Sequence, residues 1–173
     1  MNCRIEPNIL HIYNTPRMLL GACNDGILRL WNTARFVSIH LPIMLFQHPG
    51  AVLCCLNHPK FDREIFFTGA ADGIIRLWKR DLGEFEETDL ALSTIEPKVI
   101  VDVEKKMTGH EGEVTCLAFD PEVVKLYSAD SNGVIKIWVP DSSETMNASW
   151  ICFKSINNVD IVASQRPKIL FFH

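Results

Sequence analysis

The segment FFTGAADGIIRLW, residues Phe66–Trp78, decides the fold because two similar segments of the same length occur elsewhere in the chain. They are LLGACNDGILRLW (Leu19–Trp31) and LYSADSNGVIKIW (Leu126–Trp138). Each copy runs from an apolar pair through small residues to Asp-Gly or Asn-Gly, and then through apolar residues and one Arg or Lys to Trp. Asp-Gly and Asn-Gly tolerate the positive φ of tight turns, so each copy predicts two antiparallel strands joined by a hairpin.

A weaker repeat precedes each copy and predicts one more strand. Its three versions, which share an apolar start and a Pro seven positions later, are ILHIYNTP (9–16), VLCCLNHP (52–59) and VTCLAFDP (114–121). We expect a fourth strand after each Trp, and the candidate segments are Phe36–Leu41, Val99–Val103 and Trp150–Lys154. The repetition therefore predicts all-β sheets of four short antiparallel strands that bury their apolar faces by stacking on one another.

Composition narrows the class of protein. The chain has 173 residues, 47% of them hydrophobic and 22% charged, which is enough apolar material for one folded body and excludes a disordered chain. A net charge of −4 disfavours nucleic acid as a partner. No apolar run reaches the roughly 20 residues that span a membrane. The amino terminus lacks the apolar core of a secretory signal, so we expect a cytoplasmic protein, with the nucleus as the alternative.

The unit GHEGEVTCLAFDPEVVKLYSADSNGVIKIW (Gly109–Trp138) resembles the Trp-Asp (WD) repeat family of β-propellers in its Gly-His opening, its Ser and its closing Trp. The resemblance implies a β-propeller made of blades of four antiparallel strands. It implies that residues 1–173 form a single propeller segment, an incomplete wheel of about three and a half blades. The expected blades are 8–41, 48–104, 109–154 and a partial blade at 158–173.

Three arrangements would cover the apolar faces of such a short row of blades. The chain is a segment of a longer propeller, or it pairs with itself or with a second half-propeller, or it closes atypically with four blades.

The resemblance also implies a buried hydrogen-bonded set in each blade, consisting of His, Ser or Thr, Asp and Trp. A carboxylate would orient the imidazole, which would engage the hydroxyl, while the indole N–H finds an oxygen. The residues at these positions are His48, Thr68, Asp72 and Trp78 in the second repeat, His110, Ser128, Asn132 and Trp138 in the third, and Asp25 and Trp31 in the first. We interpret these side chains as structural.

Two groups of residues are candidate partner-binding positions. By position in the family, one rim of the propeller would carry Asn24, Ala71, Ser131, Glu111 and Glu113. The second group lies in an acidic insertion, residues 81–104, and consists of Glu84, Glu86 and Glu87. Acidic side chains at both places predict other proteins or basic peptides as partners.

The sequence favours a noncatalytic interaction scaffold over two alternatives. It contains no phosphate-binding glycine loop, no nucleophile elbow and no paired His motif, so we expect no catalytic residues, no metal and no cofactor. One alternative is a hydrolase-like enzyme hosted by a propeller, which would need carboxylates or His converging from several blades. The other is an RNA-associated WD-repeat factor, which would need a basic stripe interleaved with aromatic residues.

Overall fold

A computed structural model describes residues 7–12, 18–32, 42, 44–58, 65–79, 98–100, 103–142 and 148–157. This part of the chain is all β and contains no helix, and so none with the length and hydropathy needed to cross a membrane. Its strands are β1 (Pro7–Ile12), β2 (Met18–Cys23), β3 (Ile27–Asn32), β4 (Met44–Gln47), β5 (Val52–Asn57), β6 (Ile65–Ala70), β7 (Ile75–Lys79), β8 (Lys98–Ile100), β9 (Lys105–Met107), β10 (Val114–Asp120), β11 (Lys125–Asp130), β12 (Val134–Pro140) and β13 (Trp150–Asn157).

The strands form three sheets that follow one another along the chain. The first sheet has the order β1-β2-β3-β4-β8, the second β5-β6-β7-β9 and the third β10-β11-β12-β13. Four antiparallel strands make up each sheet, and the first carries β8 in addition, parallel to β4 at its outer edge. The predicted fold class is therefore confirmed, and the described sheets do not close into a ring.

The three predicted hairpins are present. Gly26, Gly73 and Gly133 have φ values of 77°, 73° and 79°, which is the left-handed region that glycine occupies without strain. A Cβ on Gly73 would lie 2.8 Å from the carbonyl oxygen of His110, so the turn of the second sheet touches the chain that enters the third. Gly26 stands in the same relation to His48. The hairpin glycines thus permit close contact between consecutive sheets.

Two apolar layers hold the sheets together. Between the first and second sheets, Phe46 packs edge-on against Phe66, with ring centroids 4.8 Å apart, and also meets Trp78. Between the second and third sheets, Phe67 lies edge-on to Trp150, with centroids 5.5 Å apart. All six residues of β6 are buried because the second sheet is covered on both faces.

The fourth strands differ from the sequence-based prediction in two places. Met44–Gln47 is the fourth strand of the first sheet, and the predicted segment Phe36–Leu41 lies outside the described residues. Val99–Val103 was the wrong segment for the second sheet: Lys105–Met107 takes that place, while Lys98–Ile100 pairs with the first sheet. The physical reason is burial, since Ile100 and Val103 pack against the apolar layer between the first and second sheets.

The third sheet follows the prediction more closely. Its fourth strand, Trp150–Asn157, begins at the predicted residue and extends beyond Lys154. The blade limits 8–41, 48–104 and 109–154 stay predictions, and the partial blade at 158–173 lies outside the described residues.

Candidate functional site

The second sheet contains a buried chain of hydrogen bonds that starts at an indole. Trp78 Nε1 donates to Thr68 Oγ1 over 2.8 Å, and Thr68 Oγ1 lies 2.8 Å from His48 Nε2. His48 Nδ1 lies 3.1 Å from the carbonyl oxygen of Phe46. A carbonyl only accepts, so Nδ1 carries the imidazole proton and Nε2 accepts the proton of the Thr68 hydroxyl. Every polar atom of the two side chains at the centre of this chain therefore has a partner.

Burial keeps His48 neutral in this arrangement. The side chains of Trp78 and Thr68 are fully buried, and His48 is 7% exposed. The pKa of His48 is lowered to about 4, mainly by burial and to a smaller extent by the nearby Arg76 guanidinium, while the hydrogen bond to Phe46 opposes these effects. A neutral imidazole that is sealed between strands serves as a structural tie and offers no free nitrogen to a substrate or a metal ion.

The third sheet repeats this chain and adds a carboxylate. Trp138 Nε1 donates to Ser128 Oγ over 2.8 Å, and Ser128 Oγ lies 2.6 Å from His110 Nε2. His110 Nδ1 donates to Asp130 Oδ2 over 2.8 Å. Burial would raise the pKa of Asp130, but hydrogen bonds from the Val134 N–H and from His110 keep it below its ordinary value. Burial lowers the pKa of His110, and the bond to Asp130 opposes that shift.

The structure corrects the position of the carboxylate in these sets. The sequence predicts this carboxylate in the hairpin, at Asp72 in the second sheet and at the position of Asn132 in the third. Asp72 instead binds both terminal nitrogens of Arg76, and the carboxylate of the third set is Asp130, two residues before Asn132. The reason is strand periodicity: Ser128 and Asp130 are two residues apart on β11, so both point to the face that His110 approaches. That spacing was the available signal, and sequence reasoning missed it.

Asp130→Ala is expected to lower the free energy of unfolding by about 2 kcal/mol, because the His110 Nδ1–H and the backbone N–H groups of Asn132 and Val134 all lose their acceptor. The matched control is Asn132→Ala, which removes an exposed side chain and is expected to cost less than about 0.5 kcal/mol. Urea unfolding followed by tryptophan fluorescence measures both. Equal losses for the two variants would contradict the placement of the carboxylate at position 130.

The first sheet carries a different polar arrangement. Asp25 forms an ion pair with Arg29, with Arg29 Nη2 2.6 Å from Asp25 Oδ2, and also accepts from the Ile27 N–H. These hydrogen bonds hold the pKa of Asp25 below its ordinary value, although burial opposes them. Trp31, the other predicted residue of this sheet, is only partly buried. Among the described residues, no histidine bonds to Asp25 or Trp31. Asp25, like Asp72, accepts hydrogen bonds from a backbone N–H and an Arg of its own hairpin.

One end of the molecule is a continuous surface of hairpins and loops. The Ala71 N–H donates to the Ala51 carbonyl, and the Ser131 N–H donates to the Glu113 carbonyl, each over 2.9 Å. Ser131 Oγ in turn accepts from the Glu113 N–H. These two hairpins are thereby tied to the loops that enter their own sheets, and the His48 N–H donates to the Gly26 carbonyl of the first hairpin. This end of the molecule, hereafter the loop rim, is therefore a connected surface.

The loop rim brings together the predicted partner-binding residues of the three sheets. Asn24 and Ser131 are exposed at their hairpins, Ala71 is half-buried, and Glu111 and Glu113 are exposed in the loop before β10. Neither glutamate forms an ion pair within the described part of the chain. Glu84, Glu86 and Glu87 lie outside the described residues, so their role in partner binding stays a prediction.

His, Cys, Asp and Glu side chains could also bind a metal ion, and free thiols could react. No three His, Cys, Asp or Glu residues come together as a metal site within the described ranges. The cysteines described there, Cys23, Cys54, Cys55, Cys116 and Cys152, are free thiols. Burial raises the pKa of Cys54 and raises that of Cys55 to about 12, so both remain neutral and unreactive.

Comparison with known proteins identifies the repeats. The family model described as "WD domain, G-beta repeat" matches residues 41–79 and 102–139. Striatin-4 of Homo sapiens is 31% identical over 145 residues, which covers 78% of this chain and 18% of that protein. Jouberin of Rattus norvegicus is 30% identical over 122 residues, covering 70% of this chain and 10% of that protein. The chain thus spans less than a fifth of the length of either relative.

Solved structures agree on the fold. The WD40 β-propeller domain of Doa1 has a TM-score of 0.60 at 19% identity, and the match covers 88% of this chain and 40% of that one. A chain of a humanized mutant of the Chaetomium thermophilum Polycomb Repressive Complex 2 has a TM-score of 0.64 at 20% identity, covering 80% of this chain and 29% of that chain. Both comparisons support a β-propeller fold for the described sheets.

Proposed function

This chain is a partial WD-repeat β-propeller, and from that premise we propose that it acts as a noncatalytic scaffold that binds other proteins through the loop rim. We further propose that it forms a segment of a larger propeller or a subunit of a multiprotein complex. The observation that carries the proposal is the rim itself: hairpins and loops of all three sheets share one end of the molecule, and Glu111 and Glu113 are exposed there without an ion pair among the described residues.

The polar groups of the described blades support a noncatalytic role. His48 and His110 each lie between a hydroxyl group, at Nε2, and an acceptor oxygen, at Nδ1. Asp25 and Asp72, which reach the hairpins, are each neutralised by an Arg of the same sheet. A hydrolase would need such groups to converge on a substrate from different blades. Here each is instead bound to a partner in its own blade or, for His48, also to the Phe46 carbonyl of the preceding strand.

A basic peptide is the kind of partner that fits the exposed glutamates. The double variant Glu111→Lys/Glu113→Lys is expected to weaken the binding of a fluorescein-labelled, lysine-rich peptide about tenfold, because two attractive contacts become repulsive. Fluorescence anisotropy at two salt concentrations measures the effect, which should shrink at the higher salt. Both side chains are exposed, so we expect the melting temperature to stay unchanged.

The matched control changes the same amount of charge at the other end of the sheets. Glu104 precedes β9 and Glu122 lies in the β10–β11 turn, and both are exposed. Glu104→Lys/Glu122→Lys should therefore leave peptide affinity within about twofold, by the short range of screened surface charges. If both double variants lose the same affinity, the peptide responds to net charge alone and the loop rim is not its binding site. A cytoplasmic location stays a prediction from the sequence.

A further inference from the structure

The third sheet is longer than the other two at the end opposite the loop rim. The fourth strand of the first sheet pairs only up to Leu30, and that of the second sheet only up to Leu77, each one residue before the repeated Trp. In the third sheet the pairing continues past Trp138, so that Val139 lies opposite Ile151. These additional rows have no counterpart among the described residues of the first two sheets.

Hydrogen bonds and a buried indole fix the additional rows in place. The Asp141 N–H donates to the Ser149 carbonyl over 2.8 Å, and the Ser149 N–H donates to the Asp141 carboxylate over 2.9 Å. Trp150 is 6% exposed and packs edge-on against Phe67 of the second sheet. The additional rows are therefore a held surface, on which side chains have defined positions.

The face of these rows that points away from the second sheet carries exposed apolar side chains. Because Trp150 points toward the second sheet, the next residue, Ile151, points to the opposite face. The register shift between Ile137 and Trp138 makes Phe153 the extra residue of a β-bulge. Ile151 is 53% exposed and Phe153 is 66% exposed. Phe153 is thus the most exposed large apolar side chain in the part of the chain that the structure describes.

Two lysines share this face. Lys125 Nζ lies 5.7 Å from the centre of the Phe153 ring, which is the geometry of a cation–π contact. Lys154 lies opposite Ile137, whose side chain alternates with the inward-facing Trp138, and cross-strand partners share a face. Neither ammonium group forms an ion pair within the described part of the chain. The surface, hereafter the cationic patch, therefore combines two ammonium groups with two apolar side chains: Lys125, Ile151, Phe153 and Lys154.

Comparison with the second sheet indicates that the cationic patch is not built to be covered by another sheet. The residue equivalent to Lys125 in the repeat alignment is Ile65, which is 1% exposed in the apolar layer between the second and third sheets. A sheet stacked in the same way on the third one would bury the ammonium group of Lys125 among apolar side chains, and an unpaired buried charge is costly. The patch instead fits a partner that brings negative charge to this lysine.

The side chains of the cationic patch select the class of partner. Electrostatic binding to an anionic membrane uses clusters of about four to eight Lys or Arg side chains, whereas the patch has two. A second copy of the chain, related by a two-fold axis, would bring the same patch and the same charges together. We propose that the cationic patch binds an acidic peptide segment of another protein, with an apolar side chain of that segment on Phe153 and carboxylates paired with Lys125 and Lys154.

This surface is independent of the loop rim because it lies at the other end of the sheets and takes a partner of the opposite charge. The loop-rim variant Glu111→Lys/Glu113→Lys should therefore leave the affinity for an acidic peptide within about twofold, by the short range of screened surface charges. Failure of either surface to bind its peptide leaves the result for the other surface unaffected.

Fluorescence anisotropy of the full chain tests the proposal, with a fluorescein-labelled peptide of Glu and Asp residues around one Phe and one Leu. We expect saturable binding. Phe153→Ser should weaken it about tenfold by removing the apolar contact, and Lys154→Glu about fivefold by reversing an attractive charge. The matched controls are Val99→Ser and Lys106→Glu, which alter exposed residues on the outermost strands of the first and second sheets and should change affinity less than about twofold.

Glu122 gives an expected change of the opposite sign. It is exposed in the β10–β11 turn, three residues before Lys125, and forms no ion pair among the described residues. Glu122→Lys should strengthen binding of the acidic peptide about fivefold, because a repulsive charge beside the patch becomes attractive. Glu104→Lys makes the same change in front of β9 and should alter the affinity less than about twofold.

Four results would overturn the proposal. The wild-type chain fails to bind the acidic peptide, or the patch variants and their controls lose the same affinity. Co-sedimentation with vesicles of phosphatidylserine and phosphatidylcholine that is lost in Phe153→Ser would assign the patch to a membrane surface. A dimer in light scattering that is lost in the same variant would assign it to a second copy. Since Phe153 is exposed, its substitution should shift Tm by less than about 3 °C, so lost binding would not reflect unfolding.

Discussion

Trp78→Ala is expected to lower the free energy of unfolding by about 4 kcal/mol, the largest loss that we anticipate for a single substitution in this chain. The indole is fully buried between the first and second sheets, and its ring meets both Phe46 and Phe66. Its removal leaves a cavity and takes the N–H donor away from Thr68. Since domains of this kind are stable by about 5–15 kcal/mol, urea unfolding monitored by circular dichroism resolves the change.

Two further variants make this prediction specific. Trp31→Ala alters the corresponding residue of the first sheet, which is only partly buried, so we expect a loss of about 1–2 kcal/mol. Trp78→Phe retains most of the volume and removes the donor, and it should remain folded with a loss of about 2 kcal/mol. A loss at position 31 that matches the loss at position 78 would contradict the view that stacking between sheets is what makes Trp78 important.

Acidification is expected to destabilise the protein by about 3 kcal/mol between pH 6.5 and pH 4 through His48. The pKa of this imidazole is lowered to about 4 in the folded chain, whereas the unfolded chain has the ordinary value of 6.5. Between these values the unfolded state binds a proton that the folded state does not. The contribution is therefore complete above the unfolded pKa and is lost progressively as the pH falls to the folded pKa.

Urea unfolding at several pH values measures this dependence. Two variants, at His48 and at His110, show which histidine causes it. His48→Gln should flatten the stability profile between pH 6.5 and pH 4.5. His110→Gln should flatten it less, because Asp130 stabilises the charged form of His110 and opposes the effect of burial. The carboxyl groups Asp25, Asp72 and Asp130 have pKa values below their ordinary value of 3.8, so their contribution is lost mainly at lower pH. If the free energy of unfolding of the wild-type chain did not change between pH 6.5 and pH 4.5, the imidazole of His48 would not be buried in the neutral form.

The sequence predicts the parts of this fold that depend on local chemistry. Asp-Gly and Asn-Gly impose hairpins wherever they join apolar strands, and the positive φ of Gly26, Gly73 and Gly133 follows from that rule. The contact between each repeated Trp and the Ser or Thr ten residues earlier is what the family resemblance implies, and the structure shows it at Trp78 and Trp138.

The parts that could not be predicted depend on contacts that are distant in sequence. Lys98–Ile100 has the same β-forming character as a fourth strand, and only the apolar layer between the first and second sheets draws it to β4. Lys105–Met107 has two lysines in three residues and almost no sequence signal for a strand. It forms a strand because it pairs with the free edge of β7. The carboxylate of the third sheet is a different case, because the two-residue spacing of Ser128 and Asp130 on β11 was a signal that the sequence already contained.

The added strand β8 also determines where the molecule is prone to self-assembly. Strand edges with unpaired N–H and C=O groups template aggregation, and a partner strand removes that hazard. β8 shields β4 in this way, and β9 is short and carries Lys105 and Lys106, which discourage β-pairing between molecules. β13 is eight residues long, contains Ile151 and Phe153 with exposed side chains, and has no strand on its outer side among the described residues. Amyloid-type association of this protein should therefore begin at WICFKSIN, residues 150–157. The variants Ile151→Lys and Phe153→Lys should each reduce this association.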